Sequence, residues 1–344
     1  MPHLTVRPAM GNGISFIWTV SADSPNQNGK NPAGAEMMIL CCGEALIDMI
    51  ETDGAFRPYA GGAVFNTAVS LGRLERDVGF LSGLSTDMFG TLLRDTLQAS
   101  AVDTSTVILS GQPTTLAFVQ LKDGHATYTF YDENTAGRSL NATALPVIPA
   151  DVSTLYFGGI SLIGMPAADF YAALALQEAR DRVIVIDPNI RPLFIVDEES
   201  YRARLTQMIA VCDILKVSDD DLHWITPGDA PIEEKARALM ALGPKLLVLT
   251  KGSAGATAYL ANGETVDAAS RRVDVVDTVG AGDTFNAGVL AKLSQMGCLT
   301  KAGIAQLSAD DALAALRLGA EVASITVSRA GANPPMLSEL SQGV

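Results

Sequence analysis

Short apolar runs alternate with longer amphipathic stretches along the chain from residue 37 onward. The apolar runs lie at 38–42, 78–82, 154–157, 183–187, 214–217 and 245–250. Between them, apolar residues recur at three- and four-residue spacing, which is typical of helices with one buried face. These stretches lie at 63–74, 89–99, 167–180, 201–211 and 233–242. The alternation predicts an α/β fold: a doubly wound, mainly parallel sheet flanked by helices.

Two segments break this alternation. Residues 46–60 contain Asp53-Gly54 between two extended runs, and the extended runs 115–121 and 125–131 flank Lys122-Asp123-Gly124. Asp-Gly supplies the positive φ angles of a tight hairpin turn. We expect strands from about 46–60 and 114–132 to form a small β-sheet lid over a ligand site at the strand ends. Ordinary extra strands at the edge of the main sheet are the alternative.

The chain before residue 37 differs from the rest. Residues 21–36 are polar and rich in turn formers, so we expect residues 1–36 to be an extension outside a single domain of residues 37–344. The apolar patch at 14–20 is shorter than the roughly 18 to 20 residues of a membrane span and lacks the features of a secretory signal. No membrane association is therefore predicted.

Composition narrows the function further. The chain has 344 residues, 48% of them hydrophobic, which suffices for a large core, and its net charge of −14 would repel nucleic acid and anionic membranes. Two of the four cysteines, Cys41 and Cys42, are neighbours in an apolar run and do not form a disulfide framework, so a reducing cytoplasm is expected. The three histidines lack the spacing of a metal site or catalytic triad.

The most informative segment is 277–288, Asp-Thr-Val-Gly-Ala-Gly-Asp-Thr-Phe-Asn-Ala-Gly, which leads into a helical run. The small residues at 280–282 let the backbone approach an anion while the free amides of the following helix point at it. Asp283, in the first turn, would lie beside a bound phosphate and could accept a proton from a hydroxyl. A tight loop with Asp283 as a simple helix cap is the alternative.

Several segments together resemble the ribokinase-like, or PfkB, carbohydrate kinases, and fructokinases most of all. The matching segments, which span most of residues 38–336, are 43–48, 61–72, 83–90, 187–193, 249–256, 277–285 and 329–334. The resemblance implies a ribokinase-like fold with a lid and transfer of the γ-phosphate of ATP to a small sugar, with Mg²⁺ and also K⁺ as ions. It implies that Asp283 is the general base and that the amides of 280–283 form the anion hole, at Gly280, Ala281, Gly282 and Asp283 itself.

The resemblance also implies two sets of binding residues. Those for the sugar are Asp48, Gly61, Gly62, Asn66 and Arg191, with a surface ion pair as the alternative for Arg191. Phe118 and Tyr131 are added as residues of the expected lid that could cover the sugar. Those for the nucleotide are Lys216, Ser218, Thr250, Gly252, Gly255 and Asn333. Backbone groups at glycines can meet sugar hydroxyls, an asparagine amide offers both donor and acceptor, and a carboxylate can accept two hydroxyls at once.

The segments expected to bind ions match the family's pattern less closely than the other segments do. Many family members carry Asn-x-x-Glu after a crossover strand, with the glutamate holding Mg²⁺ through water, whereas here Ser218 and Asp221 occupy those places. Asp221 has a shorter arm, and three acids at 219–221 are also ordinary N-terminal capping residues, so both interpretations stay open. For the monovalent cation, the resemblance indicates Asp277 and the carbonyls of 328–334.

The substrate is expected to be fructose. Ketodeoxygluconate is the second candidate, because Arg191 could pair bidentately with its carboxylate, and ribose or a nucleoside is the third. A non-catalytic nucleotide- or sugar-sensing protein on the same fold is the alternative from another class. Because lid sheets with exposed apolar strands often pair with a second copy, a homodimer is expected, with sugar and ATP as the small-molecule partners.

Overall fold

The structure, a computed structural model, describes residues 37–122 and 125–341, without the side chains of 120–122 and 125–128. The expected extension at 1–36 and the expected Asp123-Gly124 turn lie outside the described residues. The strands are β1 Met38–Cys42, β2 Leu46–Thr52, β3 Ala55–Gly61, β4 Val78–Leu81, β5 Gly83–Ser85, β6 Ile108–Ser110, β7 Leu116–Lys122, β8 His125–Tyr131, β9 Val152–Gly158, β10 Val183–Asp187, β11 Ile214–Ser218, β12 Leu246–Thr250, β13 Ala256–Leu260 and β14 Thr265–Ala268. The helices are α1 Ala63–Arg73, α2 Met88–Ala99, α3 Ala167–Glu178, α4 Glu198–Val211, α5 Asp219–Ile225, α6 Ile232–Met240, α7 Ala281–Gln295, α8 Lys301–Ala305 and α9 Ala309–Val327.

The main sheet has eight strands in the order β14-β13-β12-β11-β10-β9-β1-β4. The pairs from β4 to β12 are parallel, and β13 and β14 are antiparallel additions at one edge. Strands such as β10, Val-Ile-Val-Ile-Asp, are buried along their whole length, as expected when helices cover both faces of a parallel sheet. The predicted doubly wound architecture is confirmed.

The helices divide between two cores, one on each face of this sheet. Residues of α1, α7 and α9, among them Phe65, Leu290 and Leu316, pack in one core. Residues of α3, α4 and α6, among them Tyr171 and Met208, pack in the other. Both sets are almost fully buried, so the sheet is held rigidly and the loops at its strand ends have a stable base.

Helix bounds differ from the sequence pattern where a polar cap, rather than an apolar residue, begins the helix. The apolar pattern of α4 starts at Tyr201, but the helix begins at Glu198 because the Asp197 carboxylate accepts a hydrogen bond from the Ser200 amide. Periodicity of apolar residues cannot detect such a polar first turn. No helix of the described ranges has both the length and the apolar composition to cross a bilayer.

The segments that break the α/β alternation form a separate four-stranded sheet in the order β3-β2-β7-β8. Strands β2 and β7 are parallel neighbours, while β3 and β8 pair antiparallel at the edges. Asp48 pairs with Ala117, whereas Phe118 pairs with Met49, the next residue along β2. Since successive side chains alternate between faces, Asp48 and Phe118 lie on opposite faces of the small sheet.

Candidate active site

The start of α7 is the centre of the site. Gly280 is its N-cap with φ 77°, a left-handed conformation that favours glycine, and a Cβ there would come within 2.7 Å of the Ala332 Cβ atom. Glycine at this position therefore allows the phosphate loop, residues 277–283, and the C-terminal loop, residues 328–334, to approach each other. The first helical residues are Ala281, Gly282 and Asp283.

The first turn of α7 offers backbone donors that the protein leaves available. The Ala281 amide donates to the Thr278 carbonyl at 3.3 Å, but the amides of Gly282 and Asp283 have no hydrogen-bond acceptor among the described residues. Unpaired amides at a helix start, aligned with the positive end of the helix dipole, form an anion-binding arrangement. The backbone amides of 282–283, which belong to the predicted anion hole, are thus free to bind an anion.

Asp283 is buried beside these amides, with a residual exposure of 8%. Its Oδ2 accepts a hydrogen bond of 2.9 Å from Asn66 Nδ2. Burial raises the pKa of Asp283 to about 7, and the charge of Asp187 raises it too, whereas Asn66 and the Lys216 charge oppose the shift. A carboxyl group that titrates near neutrality is well matched to the work of a general base.

The hydrogen bond between Asn66 and Asp283 joins two motifs that lie 217 residues apart in sequence. Asn66 is in the first turn of α1, the helix that follows Gly61 and Gly62. On the next residue, the Thr67 hydroxyl donates to the Asp283 carbonyl at 3.2 Å, so α1 is fastened to α7 at two adjacent positions. The structure thus brings the predicted sugar motif and the predicted phosphate loop together.

Asp48, on β2, lies next to the glycine pair. A Cβ on Gly61 would come within 2.3 Å of Asp48 Oδ2, so glycine at that position leaves room for the carboxylate. No residue of the described chain donates a hydrogen bond to the side-chain carboxylate of Asp48, and burial raises its pKa to about 6. A partly buried carboxylate without protein donors is suited to accept hydroxyl groups of a ligand.

Glu44 is a site residue that the sequence motifs did not single out. Its Oε1 accepts a hydrogen bond of 3.0 Å from the Ala63 amide, and its Oε2 accepts one of 3.3 Å from the Ser161 amide. Gly62, the N-cap of α1, has no side chain for this task, so Glu44 caps the helix instead. Burial raises the pKa of Glu44 although both amides oppose the shift. An acid two residues after β1 was the signal available in the sequence.

A buried charge pair lies under the start of α7. Lys216 Nζ is 2.9 Å from Asp187 Oδ2, and their side chains are 8% and 2% exposed. Asn286 Nδ2 donates to the same carboxylate oxygen at 2.7 Å and also to the Tyr156 hydroxyl at 3.0 Å. Of these residues only Lys216 had been assigned a role from the sequence.

The predicted nucleotide residues lie at the ends of β11 and β12 and in the last loop. Ser218 and Thr250 are register partners in adjacent parallel strands. Gly252 begins a 3₁₀ turn, Gly252–Ala254, that Gly255 follows, and the two glycines have positive φ angles of 53° and 92°. Asn333 is farther along the chain, where its Oδ1 accepts a hydrogen bond of 2.8 Å from Arg73 Nη1.

The candidate ion ligands are both engaged by protein donors. Asp221 is 5% exposed; its Oδ1 accepts from the Ile190 amide at 2.8 Å, and its Oδ2 accepts from the Ser218 amide and hydroxyl. It therefore acts as a capping-box residue, while Oδ1, which has a single protein donor, keeps a lone pair for a hydrated ion. Asp277 accepts one hydrogen bond on each oxygen, from the Val279 and Gly331 amides, so each oxygen keeps a lone pair for a cation.

Three residues that were predicted to bind the sugar make no contact with Asp48 in the described chain. Arg191 is exposed and donates through Nη1 to the Asn189 and Ile190 carbonyls of its own loop. Phe118 and Tyr131 lie with Phe56 in a row of edge-to-face rings, with centroids 4.9 and 5.5 Å apart. The strand alternation puts this row on the face of the small sheet opposite Asp48.

The fold and the comparisons with known proteins define the class: a carbohydrate kinase, that is, a phosphotransferase with an alcohol group as acceptor. The sequence model described as pfkB family carbohydrate kinase matches residues 36–339. The chain belongs to this family, as its motifs predicted.

Individual relatives agree with this assignment. A fructokinase of Rhizobium leguminosarum bv. trifolii is 50% identical over 276 residues, which cover 78% of this chain and 84% of that protein. A fructokinase of Klebsiella pneumoniae is 33% identical over 79% of this chain and 89% of its own length. The crystal structure of a Xylella fastidiosa fructokinase with bound ATP has a TM-score of 0.80 and 28% identity, covering 89% of this chain and 97% of that one.

Proposed function

We propose that this protein is an ATP-dependent fructokinase in which Asp283 is the general base. The observation that carries the proposal is the start of α7, where a buried carboxyl group with a pKa of about 7 lies beside two unpaired amides and is hydrogen-bonded to Asn66. The name of the relative that is 50% identical supports fructose as the sugar.

In the proposed reaction, a sugar hydroxyl attacks the γ-phosphorus of ATP. The new O–P bond forms as the bond from phosphorus to the β,γ-bridging oxygen breaks, ADP leaves, and the hydroxyl proton passes to Asp283 Oδ1 or Oδ2. The amides of Gly282 and Asp283 donate to the transferring phosphoryl group. Asp48 and the backbone at Gly61 and Gly62 hold the sugar, and Asn66 keeps Asp283 in place.

Magnesium enters this scheme as part of the substrate MgATP. Asp221 would hold this hydrated Mg²⁺ through the free lone pair of Oδ1, while its three protein donors shape the loop at Ile190 and the start of α5. Nucleotide contacts are proposed at Ser218, Thr250 and the turn of Gly252 and Gly255, and Asn333 would close the site from the C-terminal loop.

Fructose is favoured over ketodeoxygluconate by the names of the relatives, since those that are 50% and 33% identical are both fructokinases. Arg191 does not decide between the two sugars, because only its Nη1 donates to carbonyls of its own loop and its other N–H groups could still pair with a substrate carboxylate. With MgATP and a panel of fructose, ketodeoxygluconate, ribose and a nucleoside, we expect the highest kcat/KM for fructose, measured as sugar-dependent ADP release. A higher kcat/KM for another sugar would change the substrate, and a lack of ADP release with every sugar would overturn the kinase proposal.

The activity should depend on pH in a direction that follows from the two carboxyl groups. Asp283, with a pKa of about 7, must be deprotonated to accept a proton, and Asp48, with a pKa of about 6, accepts hydroxyls best when charged. We expect kcat/KM to be constant above neutrality, to fall about tenfold per pH unit below it, and to fall more steeply below pH about 6. A circular-dichroism spectrum unchanged over this range would exclude unfolding, and a flat profile down to pH about 5 would contradict both assignments.

The rest of the proposal concerns a monovalent cation, the role of the small sheet, the oligomeric state and the location. Asp277 and the carbonyls of 328–334 would hold a K⁺ ion, whose charge would stabilise the loop at 277–283. The Asp277 carboxylate already accepts a hydrogen bond from the Gly331 amide at 2.9 Å. The small sheet is proposed to cover the sugar with its Asp48 face. Its opposite face, with Tyr131 60% and Phe56 39% exposed, is suited to pair with a second copy in a homodimer. The free thiols support a cytoplasmic location.

A further inference from the structure

The ammonium group of Lys216 lies at the start of α7, close to the proposed anion hole. Its side chain is 8% exposed, and its Nζ atom lies 3.5 Å from the position that a Cβ on Gly282 would occupy. The ammonium group is therefore next to the backbone that presents the unpaired amides of the α7 start. It is also the cation whose charge opposes the raised pKa of Asp283.

The hydrogen bonds of Lys216 are incomplete. An ammonium group has three N–H donors, and in the described part of the chain the acceptor found for Nζ is Asp187 Oδ2, at 2.9 Å. Buried donors are almost always paired, so the remaining donors of Lys216 are available to a ligand in the anion hole. Burial by itself would lower the pKa of Lys216, but the charges of Asp187 and Asp221 hold it above its ordinary value, so the ammonium keeps its proton.

Asp187 and Asn286 hold the ammonium group in position. Asp187 Oδ2 accepts from both Lys216 and Asn286, while Asp187 Oδ1 accepts from the Asn189 amide at 3.1 Å. Asn286 follows Asp283 by one turn on the same face of α7. The clamp on Lys216 is thus built into the helix that carries the proposed base, which is the arrangement that preorganised electrostatic catalysis needs.

We propose that Lys216 is a catalytic residue that donates to the transferring phosphoryl group, with Asp187 and Asn286 as its positioning residues. This inference rests on the proposed kinase function. As the sugar oxygen bonds to phosphorus and the bond to ADP breaks, negative charge on the equatorial oxygens is balanced by the Lys216 ammonium. Lys216 remains protonated throughout, and the hydroxyl proton still goes to Asp283.

The test compares Lys216→Gln with Lys216→Arg and with Lys235→Gln as a matched control. Lys235 is another buried lysine, 3% exposed, whose Nζ contacts His223 on α5 and has no hydrogen bond, among the described residues, to a group proposed to bind sugar, phosphate or nucleotide. For Lys216→Gln we expect kcat to fall by about 10²- to 10³-fold. Because ADP lacks the transferred group, its dissociation constant should stay near the wild-type value. Lys216→Arg should recover part of kcat, and Lys235→Gln should keep it.

A second readout separates this role from a structural one. Because the Lys216 charge lowers the pKa of Asp283, its loss should move the acidic limb of the kcat/KM profile to higher pH. Should Lys216→Gln fail to fold, the double variant Lys216→Met with Asp187→Asn removes both buried charges and leaves neither unpaired. The same loss of kcat with retained ADP binding is expected for it.

The outcomes distinguish this inference from the kinase proposal itself. If the wild-type protein releases ADP with sugar but Lys216→Gln, or the double variant, keeps the kcat of Lys235→Gln, the role of Lys216 is wrong and the kinase proposal stands. A parallel loss of ADP affinity and kcat would make Lys216 a general nucleotide ligand and would also overturn the inference. A wild-type protein without sugar-dependent ADP release overturns both.

Discussion

Replacing Asp283 by Asn should lower kcat by about 10²- to 10⁴-fold, the usual contribution of a general base. The substitution keeps the shape of the side chain and an oxygen that can accept from Asn66 Nδ2, but it removes the group that receives the proton. Because burial disfavours the Asp283 charge, the neutral side chain should fold at least as well. Coupled measurement of ADP release and thermal unfolding test the two parts of this expectation.

Asp310→Asn is a suitable control for this experiment. Asp310 is exposed in the first turn of α9, so its replacement also removes a first-turn acid from a helix but does not touch the proposed site. Its kcat should match the wild type. Full activity of the Asp283→Asn variant would falsify the assignment of the base, whatever sugar is used.

Replacing Asp48 by Ala should lower kcat/KM for the sugar by about 10²- to 10⁴-fold, because two charge-assisted hydrogen bonds of about 1.5–3 kcal/mol each would be lost. The reason is that the Asp48 carboxylate has no donor among the described residues and adjoins the Gly61 backbone. ADP affinity should not change, since the nucleotide residues lie at β11 and β12. Initial rates over a range of sugar concentrations, with ADP binding by titration calorimetry, measure both.

Glu51→Ala is the matched control for Asp48→Ala. Glu51 is on the same strand, is exposed and is separated from Asp48 by three positions, so alternation puts it on the opposite face of the small sheet. We expect wild-type kinetics for this variant. If Asp48→Ala behaves like the control, the sugar lies elsewhere than the Asp48 face of the small sheet.

Much of the fold was accessible from the sequence because its signals are local. Buried parallel strands such as β1 and β10 have nearly the bounds that their apolar runs indicate, since both faces of the strand are covered. The glycine-rich segment at 280–282 identified a helix start by its composition alone. Where a helix began with polar residues, as α4 does at Glu198, the apolar pattern missed its first turn.

The site was only partly accessible, because its contacts join distant parts of the chain. Asn66 and Asp283 could each be named from a motif, but neither motif reports the hydrogen bond between them. The clamp of Asp187 and Asn286 on Lys216 unites β10, β11 and α7, and it exists only once the strand order is set. Glu44 caps a helix that starts 19 residues later, a distance at which no local pattern operates.

What the sequence determined by itself is the kind of chemistry: small residues and an acid at one helix start, alternating strands and helices, and a strongly acidic chain unsuited to nucleic acid. Only the tertiary structure decided which groups share a face. Phe118 and Asp48 belong to strands that each alternate regularly, yet their relative side depends on the register between β2 and β7. A shift of one residue reverses that side, and register follows from packing across the whole sheet rather than from either strand.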